Sequence, residues 1–454
     1  MGAEVVIIGA GLAGIATALT ARDVHPHKSI CMVRPMEDGL NLHAIPYLLH
    51  PSADPSRGVL STQPLEANGV QTLAGSVVAL IPQDRRVILD SGRELAYERL
   101  VLATGTQALR PNIPGINRQG IYTLPRGLSE VAALRAELGN ARNVVIVGGD
   151  YTGVALAEQV AAYESPQVHL IESQPFLLDG LFDPEFQAEI RGDLEQQGIA
   201  VHTDTQVATF QGTQQVEGVC LYGGQNIPAD VVLLNLGAKP ATQLAEKARM
   251  RLAENGAIWV DEFMRSATPG IFAVGGCALK RDFFTRKAVP IWLPSVSADE
   301  ACNAATNLYG IRALHQMRGT VAAFTTRIGA VTYASTGMTA AECAAEEFCH
   351  VTAVAEASDR YCGNLSGARL LKVKLVVACR SGVILGGQMS GSDAVAQLIN
   401  IVTLAIQQKL NVRDLDTLQV ATHPLLTPAP SLHPLINAAH QALAQLRSGT
   451  LVGF

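Results

Sequence analysis

The chain has 454 residues, of which 48% are hydrophobic and 16% are charged, and its formal net charge is −6. This length predicts about three domains. The charged fraction lies below the roughly 25% of ordinary domains, which predicts large cores and some surface buried between subunits. Lys and Arg are not clustered, so nucleic acid is not expected as a partner.

The first predicted element is a strand that runs through a glycine turn into a helix. Residues 4–8 predict the strand, with 5–8 apolar, Gly9, Gly11 and Gly14 follow with G-x-G-x-x-G spacing, and residues 11–22 have a helical pattern. Gly9 permits the sharp turn, Gly11 lets a pyrophosphate approach the backbone, and Gly14 lets the helix sit close to the strand. The helix N-terminus offers unpaired N–H groups and the positive end of its dipole to phosphates. This segment therefore predicts a dinucleotide site.

The apolar run over residues 5–19 has the composition of a signal or membrane segment. Its glycines interrupt it and no basic region precedes it, so the strand–turn–helix interpretation is favoured. No other stretch reaches the ~18 unbroken apolar residues of a membrane helix. We therefore expect a soluble, cytoplasmic protein with no membrane partner.

A second strand is predicted over residues 29–33. An acidic residue normally ends this strand and holds the ribose hydroxyls, but Val33 and Arg34 stand there. Arg34 could stack on adenine or face a phosphate; the alternative is a solvated surface arginine. Residues 100–105 then predict a buried strand that ends in a small-residue turn, and 110–115 a linker.

The strand–turn–helix pattern recurs from residue 143. A helix extends to about residue 163, and residues 168–172 predict a strand that ends at Glu172. The turn keeps Gly148 and Gly153 but carries Asp150 at its middle glycine position. Strands that alternate with helices predict parallel sheets with right-handed crossovers.

A carboxylate at position 150 opposes a bound phosphate. At about 4 Å and an effective dielectric constant near 20, the repulsion is on the order of 4 kcal/mol as an upper bound. Alternatively, Asp150 acts as a built-in anion at the helix N-terminus, where a pyrophosphate would otherwise sit. Either interpretation makes NAD(P)H binding at this turn doubtful.

Beyond residue 240 the chain is predicted to return to the first domain. It does so through residues 258–261 and 266–275, and a helix follows over 297–309. From about residue 322 the pattern changes, with a predicted hairpin over 371–386 and a helix over 393–407. This last region has no nucleotide motif, so it is interpreted as a packing or oligomerisation domain.

The cysteines predict neither a metal site nor a local redox dithiol. No pair has C-x-x-C spacing, which excludes a zinc ribbon. Buried free thiols in a reducing compartment are the favoured interpretation. The eight cysteines are Cys31, Cys220, Cys277, Cys302, Cys343, Cys349, Cys362 and Cys379.

Six segments in combination resemble one protein family. They are Gly9 to Gly14, Ala103-Thr104-Gly105, Gly148 to Gly153, Gly237 to Pro240, Thr268 to Cys277 and Leu385 to Gln388. Over nearly its whole length the chain resembles the FAD-dependent pyridine-nucleotide disulfide oxidoreductases, in the coenzyme A-disulfide reductase and NADH oxidase branch. The resemblance implies an α/β fold with two Rossmann-like FAD- and NAD(P)-binding domains, as in glutathione reductase. It also implies a C-terminal α+β domain that pairs two subunits into a homodimer.

The resemblance also assigns domains and cofactor contacts. A discontinuous FAD-binding domain is expected over 1–113 and 241–321, an NAD(P)H-binding-like domain over 114–240, and a dimerisation domain over 322–454. The expected cofactor-binding residues are Gly9, Gly11, Gly14, Arg34, Ala103, Thr104, Gly105, Gly148, Gly153, Glu172, Gly237, Gly275 and Gly276. Glu172 would hold a ribose.

The chain departs from the family at positions that carry chemistry. Members with a redox thiol have a cysteine three residues before a Pro-Tyr pair, and here that residue is His43. An imidazole cannot form a mixed disulfide. It could donate a proton near the flavin, or it only packs. The family's aspartate on the ribityl chain of FAD is here Gly276, a loss of roughly 1.5–3 kcal/mol.

Two further positions are candidates for catalysis. Tyr151 resembles the family's aromatic gate over the flavin, with an ordinary packed tyrosine as the alternative, and the glutamate expected nearby is Ala155. His423, followed by Pro424, resembles a histidine that some members send across the dimer interface as an acid–base. A loop histidine before a rigidifying proline is its alternative.

The favoured function is a thiol-independent FAD oxidoreductase. It would move electrons from NAD(P)H or a protein donor through flavin, whose ring carries the electron chemistry. The acceptor would be a small molecule such as oxygen or a quinone, or a small iron protein. The alternative is a non-catalytic relative, because the departures cluster at cofactor positions. A third possibility is thiol chemistry at Cys31 or Cys277.

Overall fold

The computed structural model describes residues 2–35, 39–313, 317–361 and 365–448. The chain divides into two compact units. Unit 1 comprises residues 1–148, 162–166 and 207–320, and unit 2 comprises residues 149–161, 167–206 and 321–454. This division by compactness does not test which cofactor a segment binds, so the domain boundaries given above stay a prediction.

The strands and helices are as follows in chain order. Strands of the first half are β1 Gly2–Ile8, β2 Ile30–Arg34, β3 Gln71–Ala74, β4 Val77–Ile81, β5 Arg86–Leu89, β6 Glu94–Leu102, β7 Thr106–Ala108, β8 Ile121–Thr123, β9 Asn143–Val147, β10 Gln167–Ile171 and β11 Ala200–His202. Strands of the second half are β12 Val207–Gln211, β13 Gly218–Leu221, β14 Asn226–Pro228, β15 Val231–Leu234, β16 Ala238–Pro240, β17 Ile271–Ala273, β18 Phe324–Ile328, β19 Val331–Gly337, β20 His350–Ser358, β21 Leu370–Ala378 and β22 Ile384–Gly391. The helices are α1 Leu12–Val24, α2 Ile45–Leu48, α3 Gln63–Ala67, α4 Leu128–Asn140, α5 Tyr151–Ala161, α6 Pro184–Gln196, α7 Gln243–Lys247, α8 Pro294–Thr306, α9 Ala340–Ala345, α10 Val395–Gln407, α11 Val412–Asp416 and α12 Pro434–Ser448.

Unit 1 is built on a sheet with strand order β3-β2-β1-β6-β5-β4, and β17 also pairs with β6. Strands β1, β2, β3, β6 and β17 run parallel, with Val6 opposite both Cys31 and Leu100. Val5–Ile8 are all buried, as expected for a central parallel strand covered on both faces. The predicted parallel arrangement is thus confirmed in unit 1, while β4 and β5 add an antiparallel ribbon.

Helix α1 packs against helix α8 in unit 1. It buries Ala13, Gly14, Thr17, Ala18 and Ala21, which recur at helical spacing on one face. These small side chains let α1 lie close to its neighbours. Its N-terminus adjoins the first glycine turn, because Gly11 of that turn is the N-cap of α1.

Unit 1 also holds smaller sheets. Strand β15 pairs in parallel with both β8 and β9, strands β12, β13 and β14 form an antiparallel sheet, and β16 pairs with β7. The last pairing places Ala238 opposite Ala108 and joins the chain just before the linker to the chain after β15.

Unit 2 contains α5, α6, the parallel pair β10 and β11, and an antiparallel sheet with order β18-β19-β22-β21-β20. Helix α10 packs on β19 and β22, and helix α12 packs on β20 and β21. The predicted hairpin is confirmed as β21 and β22. None of the described helices combines the length and apolar character that crossing a membrane requires.

The expectation that all cysteines are free is wrong for one pair. Cys349 and Cys379 form a disulfide whose Cα atoms are 5.5 Å apart. The two residues adjoin the paired ends of β20 and β21, where the Cys379 amide donates to the Cys349 carbonyl. They are 30 residues apart in sequence, so no local spacing could reveal the pair. Cys362 lies outside the described residues.

Candidate functional site

The first glycine turn is held by close backbone packing. Gly9 has φ +108°, and a Cβ there would lie 2.3 Å from the Ala103 carbonyl oxygen. A Cβ on Gly14 would lie 1.9 Å from the Gly9 carbonyl oxygen. The Gly9 amide donates to the Val33 carbonyl at 2.9 Å. Only glycine therefore fits at positions 9 and 14, as the sequence predicts.

The middle glycine of this turn faces open space. A Cβ on Gly11 would meet no atom within 4 Å, and its backbone is extended, with φ −76° and ψ −177°. Gly11 caps helix α1 without a side-chain hydrogen bond to the first turn. The helix N-terminus therefore presents backbone N–H groups to an approaching anion. This geometry fits the diphosphate of a dinucleotide such as FAD.

The small-residue turn after β6 adjoins this site. The Ala103 amide donates to the Ile8 carbonyl at 2.9 Å, and Thr104 Oγ1 donates to the Ala241 carbonyl at 2.6 Å. Gly105 has φ +72° and accepts from the Ala241 amide at 3.0 Å. Ala103 thus supports Gly9 directly, and Thr104 and Gly105 anchor the returning chain.

The turn at Gly275 and Gly276 packs on the same region. Gly275 has φ +70°, and a Cβ there would lie 2.8 Å from the Ala13 Cβ of helix α1. A Cβ on Gly276 would lie 2.5 Å from Thr106 Cγ2 and 3.1 Å from the Gly105 carbonyl carbon. Thr106 therefore fills the space of the side chain that the family carries at position 276.

Arg34 ends β2, and Gly39 and His43 lie on the segment that follows it. A Cβ on Gly39 would lie 3.8 Å from the Ala10 carbonyl, which places this segment beside the first turn. Arg34 is partly buried, and its Nη1 donates to the Pro35 carbonyl. His43 lies in a short 3-10 turn, where its amide donates to Asn41 Oδ1.

Burial lowers the pKa of His43. The imidazole is therefore neutral near pH 7 and has one ring N–H to donate. The catalytic role of His43 stays a prediction.

The second glycine turn differs from the first. Gly148, in unit 1, has φ +111°, and a Cβ there would lie 1.9 Å from the Asn235 carbonyl oxygen. In unit 2, Asp150 Oδ1 accepts from the amides of Thr152 at 2.9 Å and Gly153 at 3.1 Å. Asp150 is thus the built-in anion of helix α5. It takes up two donors that an open turn would offer to a phosphate.

Glu172 ends β10 and turns toward the same loop. Its Oε2 accepts from the Gly149 amide at 2.5 Å, and its Oε1 accepts from Gln174 N–H and Ser173 Oγ. In the structure Glu172 therefore braces the glycine turn. Its predicted contact with a ribose stays a prediction.

Tyr151 opens helix α5 and is partly buried. Its ring centroid lies 5.4 Å from that of Phe324. Burial and then the Asp150 carboxylate raise the pKa of Tyr151 to about 12. The phenol is consequently protonated at any ordinary assay pH.

The remaining predicted positions are Gly237 and His423. Gly237 has φ +84°, and its carbonyl accepts from the Leu109 amide at 3.0 Å. His423 is exposed in the loop before α12, and its Nδ1 accepts from the Leu425 amide at 3.2 Å. That bond leaves Nε2 as the protonated nitrogen of the neutral ring.

The cysteines considered for thiol chemistry are buried. Cys277 Sγ donates to the Leu102 and Val274 carbonyls at 3.3 and 3.4 Å. Burial raises the pKa of Cys31, which lowers its thiolate fraction and its reactivity. Neither residue has the electropositive, accessible setting of a reactive thiol.

Reasoning from the sequence missed two features of the first site. Thr106 was not singled out, although it blocks position 276. Lys280 and Glu300 form a buried ion pair behind Gly275. No motif connects them, since they are 20 residues apart, with Lys280 in a loop and Glu300 in α8.

The chain is similar to known proteins along nearly its whole length. Residues 3–304 match the pyridine nucleotide-disulphide oxidoreductase family, and residues 311–432 match the dimerisation domain of that family. The ferredoxin–NAD(+) reductase component of the biphenyl dioxygenase system from Paraburkholderia xenovorans is 38% identical over 195 residues, which are 43% of this chain and 47% of that protein. The NADH oxidase of Methanocaldococcus jannaschii is 25% identical over 453 residues, 97% of this chain and 99% of that protein.

A solved structure agrees along nearly the whole chain. The NAD-dependent persulfide reductase from A. fulgidus superposes with a TM-score of 0.89 at 26% identity, covering 99% of this chain and 84% of that one. These likenesses confirm the predicted fold class of two Rossmann-like domains and a C-terminal dimerisation domain. The first family match alone spans well over half of the residues. The chain therefore belongs to the pyridine nucleotide-disulphide oxidoreductase family.

Proposed function

We propose that this protein is an FAD-dependent oxidoreductase that passes electrons from NAD(P)H or a protein donor to an acceptor without a thiol at position 43. The observation that carries this proposal is the open first turn. Gly9 and Gly14 are packed against the backbone, whereas Gly11 and the uncapped start of helix α1 face free space. The relatives described above are named as reductases or oxidases, and none of them supports the non-catalytic alternative.

In this proposal each part of the first site has a physical task. The N–H groups at the start of α1 bind the diphosphate, as helix N-termini bind phosphates elsewhere. Arg34 faces the adenine or a phosphate. Gly275 and Gly276 lie along the cofactor, and flavin supplies the electron transfer once it is bound. His43, whose pKa is lowered by its partial burial, offers a ring N–H in place of the family's thiol.

Two opposing observations bear on the electron donor. The relatives include proteins named for NAD(+) and NADH, which supports a pyridine nucleotide. Asp150 opposes it, because its carboxylate occupies the amides of Thr152 and Gly153. We propose NAD(P)H as a weakly bound donor, with Tyr151 next to the turn as the gate and a protein donor as the alternative.

We also propose a homodimer through residues 322–454, a cytoplasmic location, and an acceptor that is a small molecule or a small protein. The match to a dimerisation domain supports the first of these. In such a dimer His423 would be presented from an exposed loop as the candidate acid–base.

The proposal is tested by the visible spectrum of the purified protein after reconstitution with FAD. Bound flavin that bleaches on anaerobic addition of NADH is the expected result. The variant Gly11→Val is expected to fold and yet to lose flavin, since a Cβ at this position meets no protein atom within 4 Å and the new side chain stands where a phosphate would approach. Gly192→Val is the matched control, because a Cβ at Gly192 also meets nothing within 4 Å and lies far along the chain in helix α6.

The outcomes separate the possibilities. Flavin that NADH does not reduce would support a protein donor. A colourless wild-type protein, or equal FAD binding by Gly11→Val and Gly192→Val, would contradict the proposed cofactor site.

A further inference from the structure

A buried ion pair lies directly behind the Gly275 turn in unit 1. Lys280 Nζ and Glu300 Oε2 are 2.8 Å apart, and the two side chains are 2% and 3% exposed. Glu300 Oε2 also accepts from the Gly275 amide at 2.8 Å. Lys280 Nζ donates to the carbonyls of Gly275 at 2.6 Å and Ala278 at 3.2 Å. Both polar backbone groups of Gly275 are therefore held by charges of the matching sign.

Stability alone does not account for this pair. Replacing a buried ion pair by apolar residues of similar volume is often neutral or stabilising, because the pair must be taken out of water. The space beside it is a cavity of about 20 Å³, bounded by Met264, Val296 and Met317 among others. Because the two side chains are almost fully buried, bulk solvent does not screen the two charges.

Gly276, the residue after Gly275, is the group that the ion pair of Lys280 and Glu300 positions. Gly276 is partly exposed and lies in the 3-10 turn Gly275–Cys277. A side chain at this position is blocked by Thr106. The turn can therefore offer only its backbone to a ligand, and the direction of the Gly276 amide depends on how Gly275 is held.

We propose that Lys280 and Glu300 are positioning residues for the cofactor site, which fix Gly275 by charge matching and thereby aim the Gly276 amide at FAD. The identity of the ligand rests on the proposed function, whereas the grip on Gly275 does not. In this arrangement the ion pair takes over part of the task of the missing aspartate, without contacting the cofactor itself.

The sharpest test is the reversed pair Lys280→Glu/Glu300→Lys. It keeps a buried ion pair but places an ammonium against the Gly275 amide and a carboxylate against its carbonyl. Two quantities are measured: hydrogen exchange at Gly275 in the FAD-free protein, and the Kd for FAD together with the flavin absorption maxima. We expect exchange to become faster and the Kd for FAD to rise by about tenfold or more, the value of a charge-assisted hydrogen bond.

A second variant, Lys280→Met/Glu300→Leu, covers the case in which the reversed pair fails to fold. It should unfold at nearly the wild-type temperature, yet exchange faster at Gly275, bind FAD more weakly and shift the flavin absorption maxima. The control is Glu4→Lys/Lys28→Glu, which reverses an ion pair of the same residue types at 2.6 Å in unit 1. This variant should change neither hydrogen exchange at Gly275 nor FAD binding.

If the folded variants show the same hydrogen exchange at Gly275 and the same Kd for FAD as the wild type, the proposal is overturned. If the wild-type protein binds no FAD at all, the proposed function fails instead. Exchange at Gly275 in the FAD-free protein would then still decide whether Lys280 and Glu300 grip the turn.

Discussion

The contacts of Asp150 indicate its effect on the proposed donor site. Its carboxylate caps helix α5 through the amides of Thr152 and Gly153. A cap of this kind stabilises a helix by about 0.5–2 kcal/mol. The same carboxylate repels a diphosphate. One side chain therefore stabilises the element while it weakens the proposed donor site.

The substitution Asp150→Asn separates these two effects. Asparagine caps helices about as well as aspartate but carries no charge. We expect the Kd for NADH to fall by roughly tenfold to a thousandfold, the upper figure being the full Coulomb term of about 4 kcal/mol, with the melting temperature nearly unchanged. NADH titration of the flavin spectrum measures this.

Asp179→Asn is the control for Asp150→Asn. Asp179 is exposed in unit 2, and its replacement makes the same change in net charge. Equal NADH affinity in the wild type and Asp150→Asn would show that the carboxylate at 150 does not oppose the donor.

At the scale of single residues, the sequence revealed the positions that break a motif. Asp150, Gly276 and His43 stand out because the spacing around them fixes what is expected there. Thr106 and the Lys280–Glu300 pair could not be found this way. Their significance depends on contacts between segments that the chain separates by many residues.

At the scale of elements, helices α6 and α9 meet the C-terminal sheet of unit 2 at a buried carboxylate. Asp183 lies just before α6, where it pairs with Lys374 of β21 at 2.7 Å and accepts from Gln388 of β22 at 2.6 Å. It also accepts from the amides of Ala340 and Ala341 at the start of α9, both at 3.1 Å. One side chain thus joins two helices to two strands.

The variant Asp183→Asn should lower the free energy of unfolding by about 3 kcal/mol, because it removes the buried negative charge that pairs with Lys374 and turns one acceptor oxygen into an NH2 group that faces other donors. Urea unfolding measures this loss. Glu195→Gln, which breaks the exposed pair with Arg191 in α6, is the control and should cost less than about 0.5 kcal/mol. Equal losses in the two variants would contradict the role of Asp183.

The same carboxylate makes the stability depend on pH. Burial alone would raise the pKa of Asp183, but the hydrogen bond and charge of Lys374 outweigh it and hold that pKa below its ordinary value. The contribution of the ionised Asp183 to the free energy of unfolding is complete above the ordinary carboxyl pKa of about 4. It is lost as the pH falls through the lowered pKa of Asp183. The difference between wild type and Asp183→Asn should therefore shrink in acid.

At the scale of the whole molecule, the repeated glycine turns and the family segments were enough to predict the fold class. The antiparallel ribbon of β4 and β5 and the disulfide between Cys349 and Cys379 were not predicted. Both depend on which strands become neighbours, and short strands of ordinary composition carry little information about their partners. The prediction of free thiols failed for this reason.

The proposed dimer gives a whole-molecule prediction. Unit 2 exposes large apolar side chains between residues 404 and 432, among them Leu404 at 55%, Leu426 at 69% and Leu432 at 58%. The wild type should sediment at twice the mass of one chain, 48.0 kDa. Leu426→Glu should weaken the dimer by about tenfold or more, because it buries a charge in the interface.

Tyr222→Glu is the control for Leu426→Glu, since Tyr222 is 68% exposed in unit 1. It should leave the sedimentation unchanged. A monomeric wild type, or equal behaviour of the two variants, would exclude this region as the interface.

The contact between Thr106 and position 276 constrains how this chain can change. Restoring an aspartate at 276 alone would drive a new Cβ to within 2.5 Å of Thr106 Cγ2, and trimming Thr106 alone would leave a gap in the packing. Residues in contact are not independent in their effects on stability. An aspartate at position 276 would therefore be accommodated only together with a smaller side chain at position 106, so the two positions have to be exchanged as a pair.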